Sequence, residues 1–169
     1  VIWRKNPLHI VEQYMKWADA YQENQVTLLY DTMWQGTRIL AEQIAHGIAA
    51  EDPKTEIKLL NTARSDKNDV ITEVFRSKAV CVGSPTINRG ILTSMAGILE
   101  EIRGLGFKKK KAAAFGCYGW SGEGVGMINE GLEKAGFELL DDGFKAMWNP
   151  DEEAKTGAVE YGKKLAKLL

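Results

Sequence analysis

The sequence predicts a doubly wound α/β domain built on a parallel sheet, and two observations lead to that fold class. From Val26 onward, short apolar runs typical of strands alternate with longer segments whose apolar residues recur every three or four positions, as on one face of a helix. Two of the runs, 79–83 and 112–116, are apolar throughout, which is typical of strands buried on both faces. Strands that alternate with helices in this way form parallel sheets covered by helices.

The first unit is a strand at 26–30, followed by a turn at 31–38 and a helix whose apolar face includes Ile44 and Ile48. Such a turn points free backbone N–H groups at any ligand that lies over the helix N-terminus. The helix dipole adds about half a positive charge there. Gly36 would let the backbone approach a ligand closely, so the turn predicts an anion site. It has no lysine after the glycine, which favours a monophosphate over a triphosphate. Taken alone, the turn is equally compatible with simple helix capping.

The other elements follow in order. An edge strand is predicted at 55–60, where apolar and charged residues alternate, and a last strand at 137–148 is expected to bend or break at Asp141-Asp142-Gly143. Four lysines at 108–111 are expected to form a solvated entrance to the strand at 112–116. Helices are predicted over 7–23 with Asn6 as N-cap, from the cap Ser65 to 75, over 91–102, up to about 135, and from Pro150 onward.

With the second strand at an edge, the strand order becomes 2-1-3-4-5, and the winding reverses between strands one and three. Three loops rich in glycine, hydroxyl and aromatic residues follow strands one, three and four. These loops meet in the crevice at the switch point, where sheets of this kind bind ligands. Together they are far more specific than any one of them.

Each loop then predicts part of one ligand. Beside the phosphate held by the first loop, hydroxyl and amide groups of the second offer hydrogen bonds to a flat polar ring, and three aromatic side chains offer faces for stacking. A phosphate joined to an aromatic heterocycle describes flavin mononucleotide (FMN). The candidate binding residues are Thr32, Met33, Trp34, Gln35, Gly36, Thr37, Ser84, Pro85, Thr86, Asn88, Cys117, Tyr118, Gly119, Trp120, Ser121 and Gly122.

Composition excludes several other classes of function. The formal net charge of −1, from 22 basic and 23 acidic residues, gives no reason to expect nucleic acid or an anionic membrane as a partner. Cys81 and Cys117 have no partner at metal-binding spacing, which predicts a reducing, cytoplasmic setting rather than a disulfide framework. His9 and His46 are too few for a histidine-rich metal site. No catalytic residue and no metal ligand is therefore assigned to this chain.

Three stretches carry a resemblance to a known family, the flavodiiron proteins. They resemble the three FMN-binding loops of the flavodoxin-like domain in that family: Thr32-Met33-Trp34-Gln35-Gly36-Thr37, Gly83-Ser84-Pro85-Thr86-Ile87-Asn88 and Tyr118-Gly119-Trp120-Ser121-Gly122-Glu123. Within the family, 63–68 and 74–78 are most similar to the flavorubredoxin type, an anaerobic nitric oxide reductase. Residues 1–24 look like the tail or linker helix of a preceding metallo-β-lactamase-like domain, and 25–169 like the FMN domain.

The resemblance implies a three-layer flavodoxin-like sandwich with an extra N-terminal helix. It also implies an FMN that relays electrons to a di-iron site, in a lactamase-like domain of the same or a partner subunit, where nitric oxide or dioxygen is reduced. Rubredoxin or a rubredoxin domain would be the electron donor. The di-iron centre and the rubredoxin iron are expected only in domains absent from this chain, which contains no C-x-x-C pair. The chain alone would therefore carry electrons without reducing nitric oxide.

Two alternatives stay open: a stand-alone flavodoxin-like quinone or chromate reductase, and a cofactor-free interaction module. A phospho-accepting receiver domain shares the topology, but Ser84 stands where its acceptor aspartate should be. The near-neutral composition leads to one further hypothesis, a less negative flavin reduction potential than in acidic flavodoxins, to which Arg38 and Arg89 would contribute if they lie near the ring.

Overall fold

The computed structural model describes residues 4–169, and the first three residues of the tail assigned above lie outside the described part. None of the helices described is long and apolar enough to cross a membrane. The elements are α1 Leu8–Ala18, β1 Glu23–Tyr30, α2 Gly36–Glu51, β2 Glu56–Asn61, α3 Lys67–Arg76, β3 Ser77–Gly83, α4 Thr93–Leu105, β4 Lys111–Tyr118, α5 Gly124–Lys134, β5 Glu138–Leu139, β6 Phe144–Met147 and α6 Glu152–Leu168.

The sheet has the predicted order, β2-β1-β3-β4-β5, with every pairing parallel. As expected, the last strand is interrupted: β5 pairs with the start of β4, and β6 continues alongside its end. The interruption needs a glycine, because Gly143 has φ +95° and a Cβ there would lie 2.7 Å from the carbonyl oxygen of Ala114. The split strand brings residues after β6 to the carboxyl edge of the sheet.

Two hydrophobic cores cover the two faces of the sheet and give the predicted three layers. Side chains that alternate along β1 and β3 point to opposite cores: Leu29 and Val82 to one, Leu28 and Cys81 to the other. Helices α3, α4 and α5 close the first core, and α2 and α6 close the second. Helix α1 lies outside both cores and contributes no buried residue.

Several element ends differ from the prediction. Helix α1 has Pro7 rather than Asn6 at its cap position, and it ends at Ala18 because the chain turns at 19–20, where Ala20 has φ +48°. The cap of α3 is Asp66, whose carboxylate accepts the N–H of Asn68 at 2.8 Å, and Ser65 does not fill that role. Helix α6 likewise begins after Asp151 rather than at Pro150, with the Asp151 side chain accepting the N–H of Ala154.

The prediction of four solvated lysines was wrong for Lys110. Its side chain is 2% exposed, and its ammonium donates to the carbonyl oxygens of Ser77 at 2.6 Å, Phe75 at 2.8 Å and Tyr21 at 3.3 Å. The three donors of the group are thus matched to three main-chain acceptors. Burial lowers the pKa of Lys110 to about 8. Lys110 therefore links the segment before β1, at Tyr21, to the amino ends of β3 and β4.

Candidate functional site

The three predicted loops do meet at the carboxyl edge of the sheet. Main-chain hydrogen bonds join them in series: the N–H of Asp31 donates to Gly83 O at 3.1 Å, and the N–H of Thr86 donates to Cys117 O at 2.8 Å. Since β1, β3 and β4 are neighbours, the loops that follow them form one continuous rim. This juxtaposition was predicted from strand order alone.

The first loop presents unpaired polar groups at the start of α2. The hydroxyl oxygens of Thr32 and Thr37 are buried and have no nitrogen or oxygen partner among the described residues, and the Thr37 hydroxyl meets only the weakly polar thiol of Cys117. Gln35 occupies the cap position with φ +66° and no side chain caps the helix. Buried hydroxyls without partners are costly in an apoprotein. Together with an uncapped helix N-terminus they have the donor chemistry of a phosphate site.

Asp31 reduces the number of donors that this loop can offer. Its carboxylate is buried, accepts the N–H of Thr32 at 2.7 Å and also accepts the hydroxyl of Ser94 from α4. The N–H of Thr32 is therefore already used, which leaves its hydroxyl as a group of Thr32 without a partner among the described residues. The same carboxylate links the start of the first loop, which follows β1, to α4, which follows β3. This contact therefore spans the switch point between the two strands.

Tight packing favours a glycine at position 36. A Cβ at this position would lie 3.0 Å from Cys117 Sγ and 3.3 Å from Pro150 Cδ, which is tighter than ordinary contacts. Cys117, a candidate FMN-binding residue, packs behind this loop, and burial raises the pKa of its thiol to about 11. Cys81 is a core residue whose thiol pKa burial raises to about 12. Neither thiol is a reactive thiolate at neutral pH.

The second loop is held by its own side chains. The buried Ser84 hydroxyl accepts the N–H of Leu92 at 3.0 Å and donates to Pro85 O at 3.0 Å, so its predicted bond to a ring would compete with these contacts. Thr86 Oγ1 accepts the N–H of Gly124 at 3.1 Å, which leaves its proton free to donate. Asn88 is exposed at the tip of a tight turn.

The third loop follows β4 and contains the turn 119–122. Gly122 has φ +72°, and its Cα packs against the ring of Tyr118, where a Cβ would lie 3.3 Å away. The hydroxyl of Ser121 lowers the pKa of the Glu123 carboxyl beside it. The turn therefore leaves its main-chain groups and the ring of Trp120 as the parts that face outward.

Exposed tryptophans surround the rim. Trp34 is 85% exposed and Trp120 is 83% exposed, although burial of indole rings is strongly favoured in water. A third indole, Trp148, was assigned to the last strand and was missed as a site residue. Its ring centre lies 6.3 Å from that of Trp120 at an interplanar angle of 68°. The sequence signal was its position directly after the last strand, at the same edge as the three loops.

Comparison with known proteins gives the family of this fold. The family model for flavodoxin matches residues 28–162, which is most of the chain and includes all three loops. The chain belongs to the flavodoxin family. No group of three or more metal-ligating side chains is found among the residues that the structure describes of this flavodoxin domain.

Curated relatives of the domain are much longer proteins. The anaerobic nitric oxide reductase flavorubredoxin of Escherichia coli K12 is 48% identical over 167 residues, which cover 99% of this chain and 35% of the relative. The same values hold for the flavorubredoxin of the O6:K15:H31 strain. This flavodoxin domain thus spans about a third of the length of these relatives.

Solved structures give the same picture. Rubredoxin oxygen:oxidoreductase from Desulfovibrio gigas has a TM-score of 0.89 and 31% identity, covering 94% of this chain and 39% of that one. The flavodiiron protein from Giardia intestinalis has a TM-score of 0.90 and 29% identity, covering 98% and 41%. An archaeal flavodoxin, at 23% identity and a TM-score of 0.75, shares the fold over 85% of this chain and 96% of its own.

Proposed function

We propose that this flavodoxin domain binds FMN and carries electrons within a flavodiiron-type reductase. The observation that supports this most strongly is the pair of buried hydroxyls of Thr32 and Thr37 at the uncapped start of α2, which have no nitrogen or oxygen partner within the described chain. A phosphate would accept from both hydroxyls and from the free N–H groups of the helix. It would also satisfy groups that water cannot easily reach.

The other end of the site suits the ring of a flavin. Trp34 and Trp120 stand exposed at the rim, where they would stack on or flank a flat ring. Thr86, Asn88 and the main chain of 118–122 would reach its polar edge. FMN supplies the redox chemistry when bound, and the protein supplies binding, orientation and electrostatics. No side chain of this domain needs to act as a general acid or base.

The activities named for the relatives support a proposal about partners. Flavorubredoxin is named as an anaerobic nitric oxide reductase, and the structural relatives as a flavodiiron protein and a rubredoxin oxygen:oxidoreductase. We therefore propose that this domain receives electrons from a rubredoxin and passes them to a di-iron site in a lactamase-like domain of its own or a partner subunit. Residues 1–24, which include α1, would be the linker to that domain.

Titration of FMN into the apo-domain tests the proposal. Free FMN is fluorescent, and stacking on an indole should quench it, so tight binding with quenching is expected. Trp34→Ala should weaken binding about tenfold and restore part of the emission, because the stacking on the indole is lost. Since Trp34 is exposed, the substitution leaves the core unchanged. Trp17→Ala, at an exposed indole of α1, is the matched control and should bind FMN as the wild type does.

Two results would contradict this function. A folded domain that binds no FMN would support a cofactor-free interaction module. Rapid bleaching of the loaded domain by NADH, without any added reductase, would support a stand-alone quinone reductase in place of an electron carrier.

A further inference from the structure

The short loop between β6 and α6, residues 148–151, contacts both ends of the proposed FMN site. At the phosphate end, Pro150 Cδ and Asn149 Oδ1 would lie 3.3 and 3.5 Å from a Cβ on Gly36. At the ring end, the indole of Trp148 lies over Gly119, where a Cβ would be 3.4 Å from the ring. This loop was not among the three predicted from the sequence.

Trp148 is held firmly although its ring fills no core. The main-chain N–H of Trp148 donates to Tyr118 O at 2.7 Å, which continues the pairing of β6 with β4 by one residue. Its φ is +56°, in the left-handed region that a bulky residue adopts only at a cost. The ring itself is 63% exposed. The backbone therefore carries strain that places an indole on the surface, and burial of that indole cannot be the reason.

The indole of Trp148 makes its one aromatic contact among the described residues with Trp120, edge to face at 6.3 Å. Trp120 is 83% exposed and has no other ring contact within the described chain. Without Trp148 its side chain would sample several rotamers. Fixing one rotamer-rich side chain before a ligand arrives lowers the ordering cost of binding.

We propose that Trp148 is a positioning residue, which holds Trp120 and the 119–122 turn in the geometry that receives the flavin ring. The inference rests on FMN binding at this edge and adds a fourth loop to the site. It predicts that Trp148 acts on the ring end alone, whereas Thr37 acts on the phosphate end alone.

Paired titrations with FMN and riboflavin, which lacks the phosphate, separate the two ends. Trp148→Ala should weaken both ligands by about the same factor, close to tenfold. Thr37→Val should weaken FMN and leave riboflavin unchanged. Met147→Ala, at the exposed neighbouring position of β6, is the matched control and should change neither affinity.

Two further readouts distinguish positioning from a general structural role. In the apo-domain, Trp148→Ala and Trp120→Ala should each abolish the same exciton couplet in the circular dichroism spectrum, while the unfolding midpoint stays within error. In the loaded domain, Trp148→Ala should shift the visible flavin spectrum, and Trp148→Phe, which retains an edge contact, should restore most of the affinity.

Unchanged affinity for riboflavin in Trp148→Ala would overturn the inference, as would a loss of affinity matched by an equal loss in Met147→Ala. Wild-type domain that binds neither flavin would overturn the proposed function and this inference together. Wild-type binding with an unaffected Trp148→Ala would overturn the inference alone.

Discussion

The two edges of the sheet treat polar groups in opposite ways. At the amino edge, Lys110 donates to three carbonyl oxygens, and the buried amide of Gln25 donates to Glu73 at 2.8 Å and to Ser77 at 3.0 Å. At the carboxyl edge, the buried hydroxyls of Thr32 and Thr37 have no nitrogen or oxygen partner among the described residues, and large indoles face solvent. At the amino edge, these buried polar groups have hydrogen-bond partners, apart from the oxygen of the Gln25 amide. At the carboxyl edge, the two hydroxyls lack nitrogen or oxygen partners in the part of the chain that the structure describes.

We interpret the difference as a division between an edge that stabilises the fold and an edge that is proposed to receive a ligand. A paired buried group contributes to the free energy of unfolding, whereas an unpaired one reduces it until something binds. Substitutions at the amino edge should therefore change stability without changing flavin affinity. Substitutions at the carboxyl edge should do the reverse.

The largest effect is expected for Lys110→Met. The change leaves the carbonyl oxygens of Phe75, Ser77 and Tyr21 without their donor, so the free energy of unfolding should fall by about 2–4 kcal/mol. Urea unfolding measures this, with the exposed neighbour Lys109→Met as control. FMN affinity of the folded variant should equal that of the wild type, and a loss of affinity would break the division between the edges.

The pH dependence of the same variant sharpens the comparison. Burial lowers the pKa of Lys110 to about 8, whereas an unfolded lysine titrates near 10.4. Between these values the unfolded chain binds more protons than the folded one, so the wild-type free energy of unfolding rises with pH, by at most about 1.4 kcal/mol per unit. Relative to Lys110→Met, the wild type should therefore gain stability from pH 8 to 10, and no gain would contradict the lowered pKa of Lys110.

A matched pair of threonines gives the next effect. Thr27 lies in the sheet with its hydroxyl 2.8 Å from Ser77 Oγ, whereas the Thr37 hydroxyl has only the Cys117 thiol beside it and no nitrogen or oxygen partner in the described part of the chain. Thr27→Val should cost about 1–2 kcal/mol of unfolding free energy and leave FMN affinity unchanged. Thr37→Val should weaken FMN by about 10- to 100-fold, the value of a hydrogen bond to a charged group, and leave stability unchanged or slightly higher. Equal stability losses in both variants would show that Thr37 is structural.

The smallest effect concerns charge near the flavin. Arg89 lies exposed in a tight turn of the second loop, at the carboxyl edge. Arg89→Glu should make the reduction potential of the bound flavin more negative, by about 20 mV, because added negative charge opposes formation of the reduced, anionic ring. Arg103→Glu, in the last turn of α4, is the control at the other edge and should leave the potential unmoved. A redox titration in which both variants match the wild type would remove the role of Arg89.

The sequence was sufficient for the strand order and the meeting of three loops. Both follow from local hydrophobic patterns and from the rules of parallel sheets. It was not sufficient for Lys110, because four consecutive lysines look alike and only the packed fold selects the buried one. Trp148 was missed for a similar reason: its place at the rim depends on the break at Gly143, which shifts β6 along β4. The inward hydroxyl of Ser84 depends on the path of its loop.

Hydrogen exchange of the domain with and without FMN tests the central claim most directly. Amides of 32–37, 84–88 and 119–122 should become protected when FMN binds, while those of the amino edge, around Tyr21 and Lys110, should keep their exchange rates. Smaller protection at 148–151 would accompany it. Protection confined to the amino edge, or no change at a flavin concentration that saturates fluorescence quenching, would contradict the account.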